Sequence, residues 1–256
     1  MITAKLQGGL GNQMFQISAA YGLSREVGTE TIFDFKQCYT PNQGFMSTKY
    51  LDNLFKKINN KELSHENFLI FNEVGFNHNK IPNMDNLCLN GYFQSEKYFK
   101  KYKSDLLNLF YFDNDISREI KDFIGDVKND ITSIHVRRGD YLNNPHYHSI
   151  CPLSYYNDSM KLFPNNTFIF ISDDMDWCKE NFYGTNILYS NFNSEIYDLH
   201  LMLECNNLII SNSTFSWWGA WLNTKKNKTV VAPKNWFGPS GPTDIEDLLP
   251  NEWLKL

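Results

Sequence analysis

The second half of the chain alternates short apolar runs with longer segments in which polar and apolar residues are mixed. The β-branched and aromatic runs predict strands over residues 131–137, 167–171, 186–189, 208–210 and 229–232. The mixed segments between them predict helices over residues 152–163, 175–182, 195–205 and 214–222. Strands that alternate with helices of about ten residues are typical of a parallel, doubly wound sheet.

The first half is less regular. It opens with an apolar run over residues 2–6, which predicts a strand, and continues into the glycine-rich segment GGLGNQMFQ at residues 8–16. Asn12 is a good N-cap residue, and we expect it to start a helix that ends near Val27. A second short strand is predicted over residues 31–35.

A polar stretch with weak periodicity covers residues 36–90 and predicts either binding loops or variable surface. Within its last part, residues 87–89 predict a strand. Ser95 is then expected to cap a helix, and residues 114–127 predict another helix. The polar end of that helix marks the boundary between two predicted domains, residues 1–127 and residues 128–256.

Charge and cysteine usage narrow the functional classes. The net charge of −5 argues against general nucleic-acid binding, so any positive potential must be local. The five cysteines are scattered and lack metal-site spacing, which favours a reducing cytoplasm. No apolar run approaches the ~20 residues needed to span a bilayer. We therefore expect a cytoplasmic protein with at most peripheral contact at the inner face of the membrane.

The richest polar segment follows the strand at 131–137 and reads HVRRGDY at residues 135–141. His135 and Arg137 leave the strand end on one face, and Arg138 leaves it on the other. Ligands of open α/β sheets bind outside the carboxyl ends of the strands, and the arginine fork of donors matches phosphate oxygens. A diphosphate is the first candidate ligand. The alternative is a solvated basic turn with weak surface ion pairs.

The glycine-rich segment at residues 8–16 is a second candidate anion site. A strand, a glycine-rich turn and a helix start together present free N–H groups and the positive helix end. The spacing is neither the dinucleotide GxGxxG nor a P-loop. A plain tight turn between strand and helix is therefore the alternative.

Two further strand ends carry polar residues. SDD at residues 172–174 could accept hydrogen bonds from a ribose or a guanine edge. Asp174 and Asp176 also resemble a DxD metal site, although both suit the start of a helix. SNSTFS at residues 211–216 places hydroxyl groups at a helix start, which predicts a second phosphate cradle.

Taken together, these segments resemble the GDP-fucose-dependent fucosyltransferases, and most closely the bacterial α-1,2-fucosyltransferases of glycosyltransferase family 11. The resemblance is carried by GGLGNQMFQ (8–16), GYFQS (91–95), HVRRGDY (135–141), SDD (172–174), SNSTFSWWGAW (211–221) and APKNWF (232–237). It leaves the 36–90 region unmatched. The HxRR motif alone is shared with α-1,6- and protein O-fucosyltransferases, so it marks the donor rather than the acceptor.

The resemblance implies an α/β fold of GT-B type, with two Rossmann-like halves whose parallel sheets face a central cleft. The N-terminal half would lie on the acceptor side, and the C-terminal half would bind GDP-fucose as the donor substrate. It further implies transfer with inversion to the 2-hydroxyl of a galactose-containing glycan, in surface polysaccharide synthesis, without a metal ion or other cofactor.

The same resemblance assigns residues to the donor. The candidate donor-binding residues are Gly9, Gly11, Asn12, His135, Arg137, Arg138, Asp173, Asp174, Ser211, Ser213, Thr214 and Phe215. Arg137 would neutralise the leaving diphosphate, and Arg138 would orient Asp140. His135 with Asp173 or Asp174 would contact guanosine.

The residue that takes the proton from the acceptor stays open. Asp140 is a candidate catalytic residue, but the neighbouring arginines weaken a carboxylate as a base. Glu96 is a rival, and a loose transition state would need neither. The alternatives for the whole protein are a fucosyltransferase of another linkage or acceptor, and a non-catalytic sugar-binding module that grips glycans with its aromatic residues.

Overall fold

Two compact units make up the computed structural model, which describes residues 1–40 and 44–256. The first consists of Met1–Phe112 with Asp244–Pro250, and the second of Asp113–Thr243 with Asn251–Leu256. Within the described ranges, no helix has both the length and the apolar character to cross a membrane.

The first unit is built on a three-stranded parallel sheet. Its elements are β1 (Ile2–Ala4), α1 (Leu10–Val27), β2 (Leu69–Asn72), β3 (Leu87–Asn90) and α2 (Lys103–Leu109). The strand order is β1-β3-β2, and the 36–90 region supplies the edge strand β2, which the sequence did not predict. Its side chains are largely exposed, so β2 lacks the alternating apolar pattern that indicates a strand.

Two predictions for this unit need correction. The N-cap of α1 is Gly9 rather than Asn12, because the Asn12 N–H already donates to the Gly9 carbonyl within the first turn. The strand predicted over 31–35 is reduced to isolated bridges at Thr31 and Phe33. Ser95 is a cap, as predicted, but of the short 3-10 helix Glu96–Tyr98.

The second unit matches the predicted alternation of strands and helices closely. Its helices are α3 (Asn114–Ile124), α4 (Leu153–Met160), α5 (Met175–Asn181), α6 (Glu195–Glu204) and α7 (Thr214–Leu222). Its strands are β4 (Ile131–Val136), β5 (Thr167–Ser172), β6 (Ile187–Tyr189), β7 (Asn207–Ile209), β8 (Val230–Ala232) and β9 (Leu254–Lys255). All six strands are parallel, and every residue of β4 is buried, as expected for a strand covered on both faces.

The strand order of this sheet, β6-β5-β4-β7-β8-β9, reverses direction between β4 and β7. From β4 the chain proceeds outward through β5 and β6, and it then crosses back to β7 and proceeds the other way. This is the strand order of the Rossmann fold, in which ligands bind outside the carboxyl ends at the reversal. The HVRRGDY and SNSTFS segments follow these two strands.

The second unit begins before the predicted boundary at residue 127. Helix α3 packs against α6, with Ile116 and Ile120 buried and Ser117 Oγ 3.2 Å from His200 Nε2. The segment Asp244–Pro250 returns to the first unit. A single cut in the chain therefore does not separate the two units.

The Tyr155 hydroxyl ties α4 to the sheet, lying 2.6 Å from the Ile210 carbonyl oxygen and 3.1 Å from that of Val231. We expect Tyr155→Phe to lower the free energy of unfolding by about 1–3 kcal/mol, because the Ile210 carbonyl loses the hydroxyl donor and the Val231 carbonyl keeps only the Ile210 backbone N–H. The urea midpoint of the variant measures this loss. Tyr183→Phe is the control, since Tyr183 is 83% exposed, and equal midpoints for both variants would contradict the prediction.

Candidate active site

The carboxyl ends of β5, β4 and β7 lie side by side. His135 pairs in register with Ile171, and Ile134 pairs with Ile209. The residues that follow these strands therefore meet at one edge of the sheet, at the reversal of strand order.

Arg137 is held by two carboxylates at this edge. Its Nη2 lies 2.5 Å from Asp140 Oδ1, and its Nη1 lies 2.9 Å from Asp173 Oδ2. Its Nε is buried and has no hydrogen-bond partner among the described residues, whereas the side chain as a whole is 30% exposed. The guanidinium is thus fixed in orientation and keeps donor capacity for a ligand.

Arg138 belongs to a separate set of contacts. Its Nε lies 2.9 Å from Asp174 Oδ2, and its guanidinium carbon lies 4.3 Å from the centre of the Trp177 ring. The expected contact between Arg138 and Asp140 is not formed, because Asp140 accepts from Arg137 instead. The arginine pair is therefore not an open basic patch, since carboxylates already balance its charge.

Asp173 connects the ends of β4 and β5. One of its oxygens accepts the Arg138 backbone N–H at 2.9 Å, and the other faces Arg137. Gly139 makes this approach possible, because a Cβ at that position would lie 2.5 Å from Asp173 Oδ2. The glycine of HVRRGDY is thus required by the carboxylate beside it.

His135 is buried at the same edge of the sheet. Its Nδ1 lies 2.8 Å from the Ser211 hydroxyl, and its ring packs 5.4 Å from that of Phe215. Burial, assisted by the charge of Arg137, lowers the pKa of His135 to about 3. The imidazole is therefore neutral at physiological pH, and its contact with Ser211 joins the ends of β4 and β7.

The start of α7 forms the other side of the edge. Ser213 is the N-cap residue, but its side chain makes no capping hydrogen bond to the first turn. Asn212 fixes the approach to the helix, because its amide donates to the carbonyl groups of Ser149 and Trp236. Thr214 and Phe215 follow in the first turn and are partly exposed. The positive end of the helix therefore lies beside the residues of β4.

Asp174 acts as a helix cap, in agreement with one of the two predicted interpretations. Its Oδ1 accepts the Trp177 N–H at 3.3 Å, and its Oδ2 accepts from Arg138. In the part of the chain that the structure describes, no three His, Cys, Asp or Glu side chains are grouped so that they could hold a metal ion.

Tyr141 and His148 belong to this edge, although neither was among the predicted site residues. The Tyr141 hydroxyl donates to the Asn212 carbonyl at 3.0 Å, and its ring lies 5.3 Å from the guanidinium carbon of Arg137. His148 stacks on the Tyr141 ring at 4.1 Å with an interplanar angle of 8°. Tyr141 lies within HVRRGDY, but no sequence pattern connects His148 with that motif.

The glycine-rich corner lies in the first unit. Gly8 adopts a positive φ of 77°. Gly9, which has no side chain, is the N-cap residue of α1. Asn12 Oδ1 accepts from Gln94 Nε2 at 3.0 Å, and the Gln13 amide donates to the Gly8 carbonyl at 2.9 Å. Buried amides therefore hold the corner in shape, and Gly11 lies buried in the first turn of the helix.

The aromatic residues mostly fill the core. Trp217 and Trp218 are fully buried in α7, and Trp217 packs against Trp221 and Trp253. Phe93 is also fully buried. Few of these rings therefore offer a flat face to a sugar.

Comparison with known proteins identifies the family of the chain. The family model described as glycosyl transferase family 11 matches residues 1–256. The chain is 31% identical to the O-antigen biosynthesis glycosyltransferase WbnK of Escherichia coli, over 98% of this chain and 99% of that protein. It is 30% identical to an alpha-1,2-colitosyltransferase of Escherichia coli, over 100% of this chain and 99% of that protein.

A more distant relative is galactoside alpha-(1,2)-fucosyltransferase 2 of Sus scrofa, which is 23% identical over 87% of this chain and 69% of that protein. Among solved structures, fucosyltransferase NodZ from Bradyrhizobium superposes with a TM-score of 0.56 at 11% identity, over 86% of this chain and 91% of that chain. This likeness concerns the fold alone, and with the parallel sheets of both units it confirms the predicted α/β fold of GT-B type.

The close contact between Gly139 and Asp173 gives a direct test of the site geometry. In Gly139→Ala, the new methyl group occupies the space of Asp173 Oδ2, so we expect the carboxylate to leave Arg137. The cost in stability is small, because partly exposed ion pairs contribute about 0–1 kcal/mol. A crystal structure of the variant measures the change, and an Asp173 carboxylate still 2.9 Å from Arg137 Nη1 would contradict the prediction.

Proposed function

The chain belongs to glycosyl transferase family 11, and from this premise we propose that it transfers L-fucose from GDP-β-L-fucose to the 2-hydroxyl of a galactoside. The product is an α-1,2 linkage, formed with inversion at the anomeric carbon during synthesis of a surface polysaccharide. The relatives named for O-antigen biosynthesis and for α-1,2 transfer support this assignment. The observation that carries it is the position of Arg137 at the reversal of strand order.

The diphosphate of the donor binds between Arg137 and the start of α7. Three kinds of donor are available there: the guanidinium of Arg137, the uncapped N–H groups of the first turn, and the hydroxyls of Ser213 and Thr214. Proteins commonly bind phosphate with the N–H groups at the start of a helix and with charge-assisted hydrogen bonds from a guanidinium. The contributions predicted for Gly9, Gly11 and Asn12 stay predictions.

Arg137 then assists the departure of GDP. As the bond from the fucose anomeric carbon to the phosphate oxygen breaks, its electron pair stays on the diphosphate, and the guanidinium stabilises the added negative charge. A donor fixed in place before the reaction contributes about 2.7–4 kcal/mol to such a step. Because an arginine can supply the positive charge that a metal ion supplies elsewhere, we propose a metal-independent transfer.

Asp140 and Asp173 position this arginine. Each accepts from a different terminal nitrogen of Arg137, so together they fix both the plane and the direction of the guanidinium. The Tyr141 ring supports it from one side. Since Asp140 is engaged in this contact, we assign it to orientation of Arg137 rather than to proton transfer.

Colitose is the second candidate for the transferred sugar, because an α-1,2-colitosyltransferase is about as similar to this chain as WbnK is. Colitose is the 3-deoxy counterpart of fucose, so the two donors share the diphosphate and guanosine that the second unit would bind.

A non-catalytic sugar-binding module is less well supported, since the tryptophans of α7 are buried. All five cysteines are unpaired thiols, which supports a reducing cytoplasm as the location of the protein.

Arg137→Ala tests the role of the guanidinium. We expect kcat/KM for GDP-fucose to fall about 10²- to 10³-fold, because the leaving diphosphate loses its main positive partner. Arg118→Ala is the matched control, since Arg118 is 71% exposed and pairs only with its helix neighbour Asp115 among the described residues. Both variants should keep the circular dichroism spectrum of the unaltered chain. Full activity in Arg137→Ala, or loss of wild-type activity in EDTA that Mn²⁺ restores, would refute the mechanism.

The transfer itself is tested with a panel of galactose-terminated acceptors, incubated with GDP-fucose or with GDP-colitose. We expect a product whose NMR spectrum shows an α-linked sugar on the 2-hydroxyl of galactose, and the preferred donor identifies the sugar. Calorimetry with GDP alone should detect binding without acceptor. A chain that binds glycans but not GDP would be the sugar-binding module instead, and a different linkage would assign another acceptor position.

A further inference from the structure

His148 lies on the loop that also carries Arg137 and Asp140, between β4 and α4. Its imidazole is held by face-to-face contact with Tyr141 at 4.1 Å and by edge contact with Tyr147 at 4.9 Å. Neither ring nitrogen makes a hydrogen bond within the residues that the structure describes. Such a half-buried ring is fixed in position while its nitrogens stay available.

The surroundings of this imidazole favour its neutral form. Burial lowers the pKa of His148 below its usual 6.5, and Arg137 acts in the same direction, whereas Asp140 partly opposes them. These are the charged groups that act on the ring, and burial raises the pKa of its neighbour Tyr141, which keeps that ring uncharged. A neutral imidazole with an unoccupied nitrogen can accept a proton.

Tyr141 relates this imidazole to the proposed diphosphate site. Its ring contacts the guanidinium of Arg137 and stacks on His148, so a single aromatic ring separates the two groups. A displacement with inversion needs a positive group at the leaving diphosphate and a proton acceptor elsewhere around the sugar. Asp140 is bonded to Arg137 itself, and Glu96 is in the first unit with its Oε1 3.8 Å from Lys100 Nζ.

We propose that His148 is the catalytic residue that accepts the proton of the acceptor hydroxyl; this inference rests on the proposed function. The acceptor oxygen forms its bond to the anomeric carbon of fucose while the bond from that carbon to the diphosphate oxygen breaks. The electron pair of the broken bond leaves with GDP. The hydroxyl proton moves to the free imidazole nitrogen and passes to solvent after the product leaves.

Two substitutions separate proton transfer from packing. His148→Phe keeps a flat ring against Tyr141 but has no nitrogen, and His148→Gln keeps polarity but cannot act as a base near neutral pH. We expect each to lower kcat about 10²-fold or more, the usual contribution of a general base, while the Kd for GDP stays within about twofold. His146→Gln is the matched control, because the His146 side chain is exposed on the same loop.

The pH profile supplies the readout that a packing role would not change. In the unaltered chain, kcat/KM should fall as the pH drops through the pKa of His148, below 6.5, because protonation removes the base. Both His148 variants should lose this acidic fall. Added imidazole should partly restore the turnover of a His148→Gly variant.

Retention of the acidic fall in the His148 variants, or turnover within about threefold of the unaltered chain, would overturn the inference. If the unaltered chain transfers fucose normally in that case, the proposed function stands and only the role of His148 fails. Absence of any transfer by the unaltered chain would refute the proposed function, and the inference with it.

Discussion

The contact of Asp173 with two successive residues of the β4 loop is the interaction on which the site depends. One carboxylate oxygen receives the Arg138 backbone N–H and the other receives the Arg137 guanidinium. These partly exposed contacts contribute little to the free energy of unfolding. Their effect is orientation, because they fix the arginine before any ligand arrives, and a group fixed in advance costs no reorganisation during the reaction.

The topology of the second unit supplies the place for this arginine. Because the strand order reverses between β4 and β7, the loops after these strands diverge from a common edge. The His135 contact with Ser211 and the Tyr141 contact with Asn212 join the two loops. The apolar runs form the strands and thus determine the fold. The short polar segments that follow the strands determine the position of the site.

The sequence predicted β4, β5, β7 and β8 well because these strands are largely buried and rich in apolar residues, whereas the exposed edge strand β9 was not predicted. It failed for β2, whose side chains are exposed, and for the boundary near residue 127, because the packing of α3 on α6 is a tertiary contact. The motifs located the strand-end residues but not their partners. Whether Asp140 pairs with Arg137 or Arg138 depends on the turn at Gly139, and His148 approaches Tyr141 only after the loop folds back.

In the proposed mechanism, Arg137 and the start of α7 bind the diphosphate of the donor at the reversal between β4 and β7. A crystal structure of the chain with GDP tests it most directly. We expect the diphosphate within hydrogen-bonding distance of the Arg137 guanidinium and of the first-turn N–H groups of α7. A well-ordered GDP whose phosphates lie away from Arg137, with that side chain still paired to Asp140 and Asp173 alone, would contradict it.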